Sequence, residues 1–126
     1  MTPDNDIAAL QRQLREFAQR RDWEQYHTPK NLAMALATEV GELLEHFQWL
    51  TPEQSIAAMV EPDKMRAIVD EIADVTIYLT RLADVIGVDL LGAAAAKMDE
   101  NEHRFPPSAG STTDRDQVAQ SADRVT

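Results

Sequence analysis

Two short acidic motifs carry the pattern in this sequence that could do chemistry, Glu39-Val40-Gly41-Glu42 and Glu71-Ile72-Ala73-Asp74. In each, the acidic residues stand at i and i+3. On a helix these positions lie about 60° apart, so both carboxylates leave from one face and can converge on one point. Like charges at that spacing repel, by roughly 0.2–0.5 kcal/mol when exposed and by more when partly buried, and a cation relieves them. Projected at about 100° per residue, Leu32, Leu36, Val40, Leu43 and Phe47 form an apolar arc with Glu39 at its edge. Glu71 falls likewise at the edge of the arc made by Ile68, Ile72, Val75 and Leu79. If the two arcs pack together, Glu39 and Glu71 flank the contact, and Glu42 and Asp74 sit one step outward. Four oxygen donors without His or Cys suit Mg²⁺, with Mn²⁺ as a substitute, and leave positions for water and phosphate. The chemistry this favours is hydrolysis of a phosphoric anhydride. Asp70 and Glu45 add carboxylates beside the cluster, which leaves the general base open. Gly41 could allow close approach of a helix or ligand, or be a packing choice.

Other residues could complete such a site. Lys97 and Asn101 are four apart, with Arg104 three further on, a polar stripe that could hold phosphates or simply face solvent. Trp23, Trp49 and Tyr78 are candidates to enclose a nucleobase, and Phe17 could join them; aromatics at such spacings also serve as core. Trp23 and Trp49 stand just outside helices, and Tyr78 lies four residues after Asp74, on the acidic side of its helix. His27, His46 and His103 are too dispersed for a zinc site. Two E-x-x-H matches, Glu24/His27 and Glu100/His103, raise a di-iron carboxylate bundle, but such a centre wants these motifs on two core-facing helices. A third reading is a non-enzymatic helical module whose acidic face binds a partner or divalent ions.

The elements that must position these residues are helical throughout. Thr2-Pro3 is expected to open a helix burying Ile7, Leu10, Leu14 and Phe17 and ending near Arg20. Thr28-Pro29 opens a second helix to about Gln48. Thr51-Pro52-Glu53-Gln54 has the form of a capping box and opens a short connector through Met59. A long helix from about Pro62 carries Ile68, Ile72, Val75, Leu79, Leu82 and Ile86 and stops at Gly87. Asp89 caps the last helix, which Phe105-Pro106-Pro107 ends. The fold class is all-α, a four-helix bundle whose core is completed by homo-oligomerisation. Ala33, Met34, Ala37 and Leu44 widen one apolar face, and Val69, Ile77 and Val85 widen another, so a homodimer or homotetramer is expected. Residues 1–107 form the domain, and 108–126 are read as a disordered polar tail.

Composition narrows the class. A chain of 126 residues suits one domain. It contains no cysteine, which excludes thiol chemistry and suits a reducing cytoplasm. The acidic start lacks an apolar run, so a secretory signal is not expected, and no stretch approaches the roughly 20 apolar residues of a membrane span. A net charge of −10 argues against a nucleic-acid polymer as partner. A small polyphosphate remains suitable, because cations on clustered carboxylates reverse the local field.

With these residues in view, the chain resembles the MazG-like all-α nucleoside triphosphate pyrophosphohydrolases, in particular the single-domain dCTP pyrophosphatase branch. The likeness spans about Ile7 to Pro106. It rests on the blocks Arg21-Asp22-Trp23-Glu24-Gln25-Tyr26-His27, Pro29-Lys30-Asn31-Leu32, Glu39-Val40-Gly41-Glu42-Leu43-Leu44-Glu45, Phe47-Gln48-Trp49, Glu71-Ile72-Ala73-Asp74-Val75, Ile77-Tyr78-Leu79 and Lys97-Met98-Asp99-Glu100-Asn101. The resemblance implies cleavage of a nucleoside triphosphate, dCTP or an analogue, between the α and β phosphates to the monophosphate and pyrophosphate. It puts Mg²⁺ on Glu39, Glu42, Glu71 and Asp74, with Glu42, Glu71 and Asp74 catalytic. It assigns the base to Trp23, Trp49 and Tyr78 with help from His27, substrate contact to Asn31, and phosphate contacts to Lys97 and Asn101. Leu14 stands near a position where some relatives carry histidine.

Overall fold

In the computed structural model, which describes residues 6–108, the helices start where a side chain or a proline answers for the first unpaired N–H groups. The order is α1 (Ile7–Arg20), a 3-10 turn (Glu24–Tyr26), α2 (Pro29–Glu45), α3 (Pro52–Ala58), α4 (Pro62–Ile86) and α5 (Leu90–Arg104). Among the described residues there is no strand, and no helix is long and apolar enough to cross a membrane. Thr28 caps α2 by accepting the Asn31 N–H at 3.2 Å. The capping box of α3 is complete: Thr51 Oγ1 accepts the Gln54 N–H at 3.2 Å and Gln54 Oε1 accepts the Thr51 N–H at 2.9 Å. Proline begins α2, α3 and α4, where its missing N–H costs nothing.

Two boundaries differ from the sequence expectation by more than one residue. α1 is capped by Asp6, not by Thr2, which lies outside the described residues. Asp6 has extended backbone, φ −124° and ψ 161°, and its carboxylate accepts the Ala9 N–H at 2.6 Å, so the helix begins after it. α2 stops at Glu45 rather than Gln48, because the chain tightens into i to i+3 bonds, His46 N–H to Leu43 and Phe47 N–H to Leu44. The expected polar tail falls outside the described residues from Ala109 onward.

The ends of α1 and α4 close the same way. At Gly87, φ is 75°, and the Val88 N–H reaches back to the Ala83 carbonyl at 2.8 Å. After α1 the left-handed residue is Asp22, φ 55°; the Trp23 N–H bonds the Ala18 carbonyl at 2.9 Å and the Asp22 N–H that of Gln19 at 3.1 Å. This is a Schellman closure with aspartate in the place glycine usually takes. Its accompanying hydrophobic contact is the edge-to-face pair of Trp23 with Phe17, centroids 5.6 Å apart. The turn that ends α1 therefore also sets the position of Trp23.

Residues up to Leu91 form one compact unit and those from Gly92 a second. In the first, α4 is the central element, packed most extensively against α2 and also against α1. Contacts between His27 and Arg81 at one end and between Glu39 and Glu71 further along make α2 and α4 antiparallel. Leu32 and Ile68 are the large side chains of the buried core, with Ala18, Ala58 and Ala83. In the second unit, Lys97 pairs with Glu100 at 3.1 Å.

The closure of α1 gives a test. Asp22→Gly should leave stability equal or higher, because glycine takes positive φ without a Cβ penalty, whereas Asp22→Val should lower it by about 1–2 kcal/mol. Urea denaturation with tryptophan fluorescence reads both stability and the setting of Trp23.

Candidate active site

The side chains shielded from solvent on α2 are Leu32, Ala35, Leu36, Glu39 and Leu43, continued by His46 and Phe47 in the turn that follows; on α4 they include Lys64, Ala67, Ile68, Glu71, Asp74, Val75, Tyr78 and Leu82. These are stripes of alternating three- and four-residue steps, the pattern of two helices packed along a seam. Glu39 and Glu71 stand within the stripes. The sequence reading put them at the edge of arcs through Val40, Ile72 and Leu79, but those residues are exposed, at 46%, 50% and 40%. The true seam is rotated toward the acids.

One carboxylate oxygen each from Glu39, Glu42 and Glu71 lie within 4.8 Å of one another. Glu39 Oε2 and Glu71 Oε2 are buried and have no hydrogen-bond donor. Burial above all, then the neighbouring Glu42 and Glu71 and the charge of Asp74, pushes the Glu39 carboxyl up to about 7 from its ordinary 4.5. Glu71 is also raised, first by burial and then by the negative charge around it, while its hydrogen bond with Glu39 works the other way. Buried anionic oxygens without donors are costly. Hard donors, orphaned oxygens and mutual repulsion together fit a divalent hard cation. Asp74 stands outside the trio among the described residues and acts on it by charge. Glu45 and Asp70 are exposed. A Cβ added at Gly41 would meet nothing within 4 Å, so among the described residues no helix makes the close approach that this glycine could allow.

A second cluster lies at the other end of the α2–α4 pair. Trp23 meets the His27 ring edge to face at 6.4 Å between centroids, and the Arg21 guanidinium covers Phe17 at 3.5 Å. Buried Arg81 donates Nε–H to His27 Nδ1 at 3.0 Å and a second N–H to Asp84 Oδ2 at 3.1 Å. Arg15 grips the same carboxylate through two bonds, of 3.1 and 2.6 Å. These cations, Arg15 first, hold Asp84 below its usual range. His27 is lowered by burial and then by Arg81, against the opposing charge of Glu24. Asn31 donates its amide to the Tyr26 carbonyl at 2.9 Å, tying the 3-10 turn to the start of α2. Arg81 follows Glu71 by ten residues, about 15 Å along α4.

The structure thus brings together Glu39, Glu42 and Glu71, with Asp74 adjacent, and separately Trp23 with His27. Tyr78 is half-buried on the α4 stripe between the two clusters. Trp49 is 86% exposed in the connection after α2. Among the described residues neither ring stacks on Trp23. Lys97 and Asn101 lie on α5, in the second unit. The two E-x-x-H matches have other partners: His27 takes the Arg81 bond, Glu100 pairs with Lys97, and His103 Nδ1 meets the Asp99 carbonyl at 2.9 Å. Sequence reasoning missed Arg15, Arg81 and Asp84. Arg81 carried a signal, since Glu71, Asp74, Tyr78 and Arg81 follow at i, i+3, i+7 and i+10, one helical stripe.

The MazG-like family model matches residues 34–116. Three mammalian proteins called dCTP pyrophosphatase 1 are similar over most of the chain. The rat protein is 43% identical over 105 residues, 83% of this chain and 62% of its own length. The human protein is 41% identical, over 90% of this chain and 67% of its own, and the cattle protein 47%, over 72% and 54%. The chain thus spans rather less than two thirds of the rat relative. A solved pyrophosphatase from Archaeoglobus fulgidus superposes with a TM-score of 0.75 at 38% identity, covering 85% of this chain and 98% of that one. The agreement of sequence and fold is that of common descent, and the chain belongs to the MazG-like family.

Proposed function

We propose that this protein is a nucleoside triphosphate pyrophosphohydrolase that uses Mg²⁺ to hydrolyse a deoxynucleoside triphosphate, dCTP or an analogue, to the monophosphate and pyrophosphate. The observation that carries the reading is the carboxylate trio in the α2–α4 seam, with two buried oxygens that no protein donor answers. The names of the mammalian relatives and of the archaeal structure point to the same chemistry. Residues 1–107 are taken as the catalytic domain.

Glu39, Glu42, Glu71 and Asp74 are assigned to the metal, and Glu42, Glu71 and Asp74 to the reacting centre. A divalent cation held by these carboxylates would supply charge neutralisation at phosphate oxygens and Lewis-acid activation of water. The seam keeps the carboxylates in place, so little reorganisation is needed when charge develops. Trp23, half-exposed beside His27, offers a face for a nucleobase. Trp49 and Tyr78 are assigned to enclose it, Asn31 to contact the substrate, and Lys97 and Asn101 to bind its phosphates.

We also assign a homodimer or homotetramer. The residues that widened the apolar faces of α2 and α4, Met34, Leu44, Val69, Ile77 and Val85 among them, are exposed in the single chain. With two large side chains at its fully buried core, the chain leaves much apolar surface for a second copy to cover.

Product analysis decides the reaction: pyrophosphate and a monophosphate are expected from dCTP with Mg²⁺, and orthophosphate with a diphosphate would refute it. Glu42→Gln and Glu71→Gln should each slow turnover on the order of a hundredfold or more with helicity intact. A metal-binding module without turnover would show Mg²⁺ binding and no product.

The raised carboxyl predicts a pH dependence of stability. The folded state favours protonated Glu39, so this contribution is present below its ordinary 4.5 and is lost as pH rises through about 7. With chelator, the melting temperature should fall across that window, and Mg²⁺ should raise it more at about pH 8 than at about pH 6, because metal and proton compete. Glu39→Gln should flatten the fall; an unchanged profile in that variant would refute the assignment. Light scattering at micromolar concentration should give the mass of a dimer or tetramer, and a monomer turning over at full rate would overturn the oligomer.

A further inference from the structure

Arg81 donates to one nitrogen of His27 and cannot accept. Guanidinium has no acceptor and stays charged at any working pH, so the nitrogen it faces must be bare. His27 Nδ1 takes the Arg81 Nε–H at 3.0 Å, which leaves the ring's single proton on Nε2. The cation cannot easily swing away. Its side chain is only 7% exposed and it is pinned through Asp84, itself gripped by Arg15. Nε2 has no protein partner among the described residues, and the ring it belongs to meets Trp23 edge to face.

We propose that Arg81 is a positioning residue that locks His27 as a neutral Nε2–H donor, and that this fixed donor reads an acceptor on the edge of a pyrimidine base set against Trp23. The inference deepens the function proposed above and rests on it for the identity of the ligand. A locked donor favours a base edge presenting a bare ring nitrogen, as cytosine does, over one presenting an N–H at the equivalent position, as thymine and uracil do. A free imidazole could swap tautomers and serve either. Burial and the Arg81 charge both lower His27, which keeps it neutral as the lock requires. The network also explains why an arginine is buried beside a histidine, a pairing that stabilises neither residue unless one of them is neutral.

The tautomer is read without substrate, by long-range ¹H–¹⁵N NMR of the full-length labelled protein. Nε2–H with bare Nδ1 is expected, and Nδ1–H or a mixture overturns the proposal. Arg81→Gln should then release the tautomer and reduce the preference in kcat/KM for dCTP over dTTP and dUTP about tenfold, the size of one net hydrogen bond. In a His27→Ala background, which has no ring donor for Arg81 to lock, Arg81→Gln should leave the remaining preference unaltered. An equal loss in both backgrounds would mark Arg81 as merely structural. If Arg81→Gln does not fold, His27→Gln and His27→Asn replace it: the first should retain the preference and the second lose it, and the reverse order overturns the proposal. A chain that turns over no triphosphate refutes the function proposed above, and the substrate-free spectrum still decides the lock.

Discussion

Glu39 and Glu71 occupy positions of α2 and α4 in step with Leu32, Leu43, Ile68 and Val75, so the packing that joins the helices also strips water from two carboxylates. An isolated buried carboxylate would cost several kcal/mol and answer by taking a proton. Here both carboxyls are raised, Glu39 to about 7. The seam cannot relax by turning the acids outward, because the same rotation would expose Leu32 and Ile68. Apolar packing thus imposes the electrostatic strain, and a divalent cation is the partner that relieves it while leaving the packing intact.

The other charged joint has the opposite character. Asp84 stands between two arginines, with every bond at 3.1 Å or shorter, and its carboxyl is depressed where those of the seam are raised. It links α1 to α4 through Arg15, and through Arg81 it reaches the turn before α2. The ring of His27 is held by that chain of bonds. Trp23 is held by a different device, the left-handed Asp22 that ends α1. Two backbone and side-chain constraints of separate origin therefore meet in one aromatic pair.

Much of this was legible in the residues. The acidic pairs, the Thr-Pro starts, the capping box and Gly87 are local signals, and local signals survive folding because they concern neighbours within a turn or two. What escaped was of four kinds. The rotation of the seam was misread because Val40, Ile72 and Leu79 look like core by hydrophobicity, whereas burial is decided by which face meets a partner helix. Arg15, Arg81 and Asp84 escaped because their partners lie 69 and 54 residues away in the chain. Asp22 escaped because aspartate is an uncommon holder of positive φ and nothing in its neighbours demands it. Asp6 took the cap from Thr2 since the helix needed an oxygen at the residue where the backbone turned extended.

Both clusters sit on the same helix pair, and that fixes how they depend on one another. Sliding α2 past α4 by one turn would move Glu39 by about 5.4 Å relative to Glu71 and carry the start of α2 away from Arg81 by as much. The register therefore sets the geometry at two points. At one, like charges push the helices apart whenever the site lacks both proton and cation; at the other, Arg81 draws the turn before α2 onto α4. Because the attraction is buried and charge-assisted, it is little weakened by salt and keeps its strength when the repulsion is at its greatest. The aromatic end of the molecule thereby offsets the instability of the acidic end, and a site that must be incomplete without its metal can remain folded while it waits for one.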